Sequence, residues 1–191
     1  MKTVPFNDLS RIHQPIQSKI LNKFSTVVNE NRFVLNKEIS EFECLFSEFT
    51  KSKYSISCSS GTDALELILR ALDIGENDEV ILPTNSFIAT ALAVTRCGAT
   101  PIFADNDEFY LINPKEVENK ISKKTKAIIA VNLYGQLSNL KELSKISKKN
   151  SLYLIEDSAQ SHGASNQVFA NNYSVAAAYS FYPGKNLGAW G

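Results

Sequence analysis

The feature of the sequence that most restricts the fold is a regular alternation of short apolar runs and amphipathic segments between residues 54 and 157. The apolar runs have the length of strands, and the segments between them show the 3.6-residue spacing of helices. Such runs lie at residues 54–58, 79–83, 101–105, 127–133 and 152–157, and a further run, 175–182, follows a polar, turn-rich segment at 161–174. Strands that alternate with helices predict an α/β fold, in which a mainly parallel sheet is flanked by helices on both faces.

The residues before this alternation predict helices alone. Apolar residues recur at helical spacing over 10–28, although Pro15 should delay or kink this helix. Asn36 can cap a second helix with its own apolar face. We therefore divide the chain into an N-terminal helical segment, residues 1–53, and an α/β domain, residues 54–191.

The composition excludes several classes of partner. Twenty basic residues balance twenty acidic ones, so no net charge attracts nucleic acid or an anionic membrane. No apolar stretch approaches the ~20 residues of a membrane-spanning helix, and the N-terminus lacks a signal-peptide pattern, so we expect a cytoplasmic protein. The three cysteines, Cys44, Cys58 and Cys97, are widely spaced and indicate buried free thiols, and no metal site is predicted.

Two charged residues stand at the ends of neighbouring apolar runs. Asp157 closes one run, and Lys185 follows the Pro-Gly pair that stops the next. The carboxyl ends of parallel strands lie at one edge of a sheet, where α/β proteins bind ligands. A pyridoxal phosphate (PLP) enzyme needs this pair: an acid that faces the pyridine nitrogen and a lysine that forms a Schiff base. Taken singly, Asp157 could cap a turn and Lys185 could be a surface lysine. Glu156, which precedes Asp157, should point to the opposite face of the strand.

Residues 59–63 have the pattern of a phosphate cradle. This Ser-Ser-Gly-Thr-Asp segment joins a predicted strand to a strongly helical run. Free backbone N–H groups at the start of a helix bind phosphate, Gly61 would let the backbone approach closely, and Thr62 adds a hydroxyl. Taken alone, such a segment more commonly serves only as a helix cap. The pairing of Asp157 with Lys185 favours the phosphate role.

Two segments resemble the signatures of a known family. The segment 157–164, Asp-Ser-Ala-Gln-Ser-His-Gly-Ala, and the segment 180–188, Ser-Phe-Tyr-Pro-Gly-Lys-Asn-Leu-Gly, are similar to those of the DegT/DnrJ/EryC1/StrS sugar aminotransferases. The resemblance implies a fold-type I PLP enzyme that moves an amino group from an amino acid, L-glutamate by family analogy, to a keto group of a nucleotide-linked sugar. The second segment most resembles the branch that aminates dTDP-linked 3-keto-6-deoxyhexoses, which implies O-antigen, lipopolysaccharide or other amino-sugar glycan biosynthesis.

The same resemblance assigns roles to individual residues. The predicted cofactor-binding residues are, at the phosphate, Gly61, Thr62 and Ser180, and, at the ring, Phe87, Asp157, Gln160 and Lys185. Lys185 would carry the cofactor and transfer protons, Asp157 would face the pyridine nitrogen, and Gln160 would lie near the 3′-oxygen. Phe87 would stack on the ring, with an ordinary core aromatic as the alternative. His162 is interpreted as structural or substrate-adjacent rather than as a base.

Several alternatives stay open on the sequence alone. Family members are longer, act as homodimers and carry a small C-terminal domain, whereas this chain stops just past Lys185. It therefore looks truncated after the cofactor lysine, and a catalytically inert remnant that only binds or assembles is the main alternative. A Rossmann-type nucleotide binder would show the same alternation of strands and helices. A dehydratase of the same family has a histidine in place of the lysine, and Lys185 argues against it.

Overall fold

The computed structural model describes residues 3–164 and 173–190, so that residues 165–172 of the predicted turn-rich segment lie outside the described residues. The chain divides into two compact units, Met1–Ser57 and Cys58–Gly191. The functional assignment of the two predicted domains stays a prediction.

In the described part of the first unit lie three helices: α1 (Ser10–His13), α2 (Gln17–Asn29) and α3 (Lys37–Thr50). Pro15 falls in the break between α1 and α2, as predicted, because proline has no N–H group to continue a helical hydrogen-bond ladder. The side chain of Asn36 accepts a hydrogen bond from the backbone N–H of Ile39 at 3.3 Å. The predicted N-cap of α3 is therefore confirmed.

The segment 54–58 does not form the predicted strand. No strand among the described residues pairs with it, and the backbone N–H of Ser57 donates instead to the carboxylate of Glu43, at 2.7 Å. Tyr54 and Ile56 are 72% and 85% exposed. The prediction was wrong because an apolar pattern reports a preference for extended backbone, whereas a strand also needs a hydrogen-bonding neighbour.

The described residues of the second unit form a five-stranded parallel sheet with helices. Its elements in chain order are α4 (Gly61–Ala71), β1 (Glu79–Pro83), α5 (Ile88–Arg96), β2 (Thr100–Ala104), α6 (Pro114–Lys120), β3 (Thr125–Val131), a 3₁₀ turn (Leu133–Gly135), α7 (Leu140–Lys149), β4 (Tyr153–Asp157) and β5 (Ala176–Ala178). The strand order is β2-β1-β3-β4-β5, and every adjacent pair is parallel. The predicted α/β class and parallel sheet are confirmed.

Separate apolar clusters cover the two faces of the sheet, because successive side chains of a strand point to opposite faces. One cluster joins the strands to α4 and α5 and includes Leu69, Val94 and Ile129. The other joins them to α6 and α7 and includes Ile128 and Leu143. Ile128 and Ile129 are neighbours on β3, and both are fully buried. Helices therefore cover both faces, as predicted.

The last strand is shorter than the predicted run 175–182. β5 pairs with β4, and their register ends where Asp157 lies opposite Ala178. Since β4 also ends at Asp157, no neighbouring strand in the described part of the chain continues the ladder beyond Ala178. Lys185 therefore lies in a loop that follows β5, not directly at the end of the strand.

Two further observations bear on the composition. Across residues 3–164 and 173–190, no helix is both long and apolar enough to cross a bilayer. All three cysteines are free, as predicted, but Cys44 and Cys58 are exposed and only Cys97 is partly buried. The prediction that all three are buried was wrong, because the preference of cysteine for interiors is only statistical.

Candidate active site

Asp157, the last residue of β4, has a buried carboxylate. Its Oδ2 accepts a hydrogen bond from the hydroxyl of Thr90 on α5 at 2.7 Å, and its Oδ1 accepts one from the backbone N–H of Ala159 at 3.2 Å. Burial raises the pKa of Asp157, while the bonds from Thr90 and Ala159 and the positive charge of Lys185 lower it. Since β5 ends beside Asp157 and the loop of Lys185 follows β5, the predicted acid and amine lie at the same edge of the sheet.

Glu156 points to the opposite face of β4, as predicted. Its Oε2 accepts a hydrogen bond from the amide of Asn132 at 2.8 Å, and its Oε1 accepts one from the hydroxyl of Ser174 at 2.5 Å. The amide oxygen of Asn132 accepts the backbone N–H of Ser138 at 2.9 Å. Burial raises the pKa of Glu156, while the two side-chain bonds lower it. Of the two acids of β4, it is Asp157 that faces α4 and α5.

Lys185 lies on a closed loop. The backbone N–H of Lys185 donates to the carbonyl of Tyr182 at 2.8 Å, and that of Ala189 donates to the carbonyl of Phe181 at 2.8 Å. A Cβ at Gly188 would lie 2.2 Å from the carbonyl oxygen of Pro183, so only glycine fits there. These contacts fix the backbone that carries the lysine, whose side chain is only partly buried.

The start of α4 lies against Ser180. A Cβ added to Gly61 would lie 2.9 Å from the Cβ of Ser180, so this approach of backbone to side chain requires glycine. Ser60 is the N-cap, and its hydroxyl accepts the backbone N–H of Asp63 at 3.1 Å. The cap interpretation is thus correct, and the structure also brings Gly61 and Ser180 of the predicted cradle together.

Asp63 is held beside this cradle. Its carboxylate accepts hydrogen bonds from the hydroxyls of Ser59 and Ser60, and Arg96 on α5 lies 3.4 Å from its Oδ1. The two hydroxyl bonds, and then the charge of Arg96, lower the pKa of Asp63. The first turn of α4 therefore carries a carboxylate whose charge is offset by Arg96.

The two remaining predicted ring contacts also lie at strand ends. Phe87 is the N-cap residue of α5 and is 70% exposed, so it does not lie in the core formed by the described residues. The side-chain oxygen of Gln160 accepts a hydrogen bond from the backbone N–H of Tyr134 at 2.9 Å. This bond fixes the side chain of Gln160 just beyond the end of β4.

Residues 14–191 of the chain match the DegT/DnrJ/EryC1/StrS aminotransferase family. The chain belongs to this family. It is 44% identical over 180 residues to dTDP-3-amino-3,6-dideoxy-α-D-galactopyranose transaminase from Aneurinibacillus thermoaerophilus, with 93% of this chain and 50% of that protein covered. It is 39% identical over 190 residues to UDP-2-acetamido-2-deoxy-3-oxo-D-glucuronate aminotransferase from Pseudomonas aeruginosa, with 98% and 53% covered.

Among solved structures, the chain is similar to NtdA from Bacillus subtilis with the bound cofactor PMP. The identity is 34% and the TM-score is 0.94, with 100% of this chain and 44% of that chain covered. This likeness supports the predicted aminotransferase fold. The chain spans about half the length of the relatives it matches.

DegT/DnrJ/EryC1/StrS aminotransferases depend on PLP, and the site of this chain fits that cofactor. Asp157 is a buried acid of the kind that the ring nitrogen would need, and the charge of Lys185 is among the influences that lower its pKa. The close approach of Gly61 to Ser180 is the kind that a backbone phosphate site requires. The roles of the individual residues, including Thr62, Phe87 and Gln160, stay predictions.

Two buried residues that bind the acids of β4 were missed from the sequence. Thr90 is a buried polar residue in an otherwise apolar stretch of α5, and that contrast was the available signal. Asn132 follows β3 directly, as Asp157 ends β4, so its place at a strand end was the corresponding signal. Both are fully buried and hydrogen-bonded to the two acids of β4.

His162 packs against the start of the loop that carries Lys185. Its ring centroid is 5.4 Å from that of Tyr179 and 5.3 Å from that of Phe181. Burial lowers the pKa of His162, while hydrogen bonds with the side chain of Asn186 and the backbone of Ser180 raise it. These contacts support the structural interpretation of His162.

Proposed function

We propose that this chain holds the PLP site of a sugar aminotransferase. The whole protein would transfer an amino group from an amino acid, L-glutamate, to a keto group of a nucleotide-linked sugar. The observation that carries the proposal is the buried carboxylate of Asp157 at the carboxyl end of β4, beside the end of β5, which the loop of Lys185 follows.

Each predicted residue has a distinct task in this reaction. PLP, when bound, accepts the electrons released when a bond at the amino carbon breaks. Lys185 would hold the cofactor and would carry a proton to and from the substrate carbon. Asp157 would keep the ring nitrogen protonated, because a nearby negative charge favours the cationic form. Phe87 would pack against the ring, and Gln160 would lie near its 3′-oxygen.

The phosphate would be held by Gly61, Thr62 and Ser180. The helix α4 presents its first N–H groups here, and its dipole adds positive potential. Asp63 would oppose an anion at this place, and the ion pair with Arg96 offsets that charge. The cradle therefore combines backbone donors, two hydroxyls and a neutralised acid.

We infer a dTDP-linked 3-keto-6-deoxyhexose as the substrate, in O-antigen, lipopolysaccharide or related glycan biosynthesis. The sequence of the loop 180–188 and the 44% identity to a dTDP-sugar transaminase support this choice. A UDP-linked sugar is the second candidate, because a UDP-sugar aminotransferase is 39% identical. The two candidate substrates can be distinguished by measuring amino transfer to each nucleotide sugar with the same preparation.

We further propose that residues 1–53 form a helical segment and residues 54–191 the PLP-binding large domain, with a small C-terminal domain in the whole protein. The whole protein would be a cytoplasmic homodimer. The free state of all three cysteines agrees with a reducing compartment. Sedimentation of the whole protein would test the dimer.

The cofactor site is tested by absorbance. PLP added to the purified chain should give a visible band from the covalently held cofactor, and borohydride reduction should attach it to Lys185. Lys185→Ala should abolish both results, and Lys141→Ala, which removes an exposed lysine on α7, should leave them unchanged. L-glutamate should remove the band and the keto sugar should restore it. If the unaltered chain shows no band, the inert alternative is correct.

A further inference from the structure

Two hydroxyl groups, those of Ser86 and Thr90, are hydrogen-bonded in series to the carboxylate of Asp157. Thr90 lies in the first turn of α5 and is fully buried. Its Oγ1 is 2.7 Å from Oδ2 of Asp157 and 2.6 Å from Oγ of Ser86. An ionised carboxylate can only accept, so the single hydroxyl proton of Thr90 goes to Asp157. Ser86 must then donate to Thr90, so the direction of both hydrogen bonds is fixed.

We propose that Thr90 is a positioning residue for the cofactor ring: its hydroxyl fixes the orientation of the Asp157 carboxylate and keeps that carboxylate ionised for the pyridine nitrogen. The inference rests on the proposed function, because it concerns the same site. Ser86 supports it by directing the Thr90 proton towards Asp157.

The same residue also joins two predicted ring contacts. The backbone N–H of Thr90 donates to the carbonyl of Phe87 at 3.1 Å, and Ser86 directly precedes Phe87. The turn that carries Phe87 is thus tied to Asp157 through Thr90. One short segment of α5 therefore sets the positions of the aromatic contact and the acid.

The surroundings of Asp157 explain why a donor is needed there. Burial penalises the charged form of a carboxyl group, and a buried charge without partners takes up a proton instead. The groups that oppose this are Thr90, the N–H of Ala159 and the charge of Lys185, in that order. Glu156, the neighbouring acid, lies on the other face of the sheet with its own donors. Loss of the Thr90 hydroxyl removes the donor bound to Oδ2.

The first experiment needs no cofactor. Titration of the Asp157 carboxyl carbon by NMR in Thr90→Val, which keeps the shape but lacks the hydroxyl, should show a pKa about one pH unit above that of the unaltered chain. Thr90→Ser should restore the original titration. Thr95→Val is the matched control, because that α5 hydroxyl is exposed and donates only to the carbonyl of Leu92, at 3.0 Å. An unchanged titration in Thr90→Val would overturn the proposal.

The second experiment compares PLP with its carbocyclic analogue, in which CH replaces the ring nitrogen. Thr90→Val should raise the Kd for PLP about tenfold but leave the Kd for the analogue within about twofold, because the analogue has no nitrogen for Asp157. Ser86→Ala should shift the PLP value in the same direction by less. Equal losses for both compounds would show a merely structural role and refute the inference. If the unaltered chain binds neither compound, the proposed function fails, and the titration still decides whether Thr90 governs Asp157.

Discussion

Replacement of Gly61 by alanine tests the close approach on which the phosphate cradle depends. The new Cβ would lie 2.9 Å from the Cβ of Ser180 and 3.4 Å from its Cα and its Oγ. Carbon atoms in optimal contact are about 3.5–4.0 Å apart, so the overlap is about 0.6 Å or more. A Cβ atom cannot rotate away from its own backbone. The backbone of Ser180 must therefore move away from the start of α4.

Two opposing effects determine how far Gly61→Ala changes the free energy of unfolding. Alanine is favoured over glycine in a helix by about 1 kcal/mol, whereas an overpacked contact costs about 1–3 kcal/mol. We expect Gly61→Ala to lower the free energy of unfolding by about 1 kcal/mol. The Kd for PLP should rise about tenfold, because the proposed phosphate cradle requires Ser180 and the first N–H groups of α4 in one place.

Urea unfolding followed by circular dichroism, with PLP absorbance for the Kd, measures both quantities. Gly75→Ala is the matched control, since its Cβ would lie 3.4 Å from the carbonyl oxygen of Cys97, a contact that a small shift relieves. Ser180→Gly removes the atom that clashes, so the double variant should be more stable than the sum of the single changes predicts, by about 1 kcal/mol. Additive changes, or a Gly61→Ala chain as stable as the original, would contradict the argument.

Two further predictions concern the acid on the opposite face and the lysine loop. Burial raises the pKa of Glu156 above its ordinary 4.5, so the folded chain binds this proton more tightly than the unfolded chain, and stability falls as the pH rises from that value. Glu156→Gln should therefore reduce the difference in unfolding free energy between about pH 5 and about pH 8. An unchanged difference would show that the titration of Glu156 does not cause it. Gly188→Ala would place a Cβ 2.2 Å from the carbonyl oxygen of Pro183, so borohydride labelling of Lys185 with PLP should fall more than tenfold; normal labelling would show that the loop does not need its closed form.

Much of the fold follows from local patterns. Asn36 and Ser60 have short acceptor side chains, and both cap helices in the structure. Pro15 interrupts a helix because of its own covalent geometry. Glu156 and Asp157 point to opposite faces because the period of a strand is two. Each of these outcomes depends on a residue and its immediate neighbours.

The absent strand at 54–58 and the shortened strand at 175–182 have a common cause. Residues 54–58 have a suitable apolar pattern but find no strand partner among the described residues, and the run 175–182 keeps its ladder only while β4 runs beside it, as far as Ala178. Strand length is decided by the neighbour and not by the segment itself. Sequence patterns contain no information about where a neighbour ends.

The sequence by itself determined the fold class and the helix caps and predicted which acid and which amine form the site, because each depends on residue type and short-range spacing. Only the tertiary structure decided that Thr90 donates to Asp157, 67 residues away, and that Gly61 touches Ser180. These contacts join segments that meet only when the parallel strands align their carboxyl ends. The orientation and charge of Asp157 are set there, by a hydroxyl on a helix packed across the sheet.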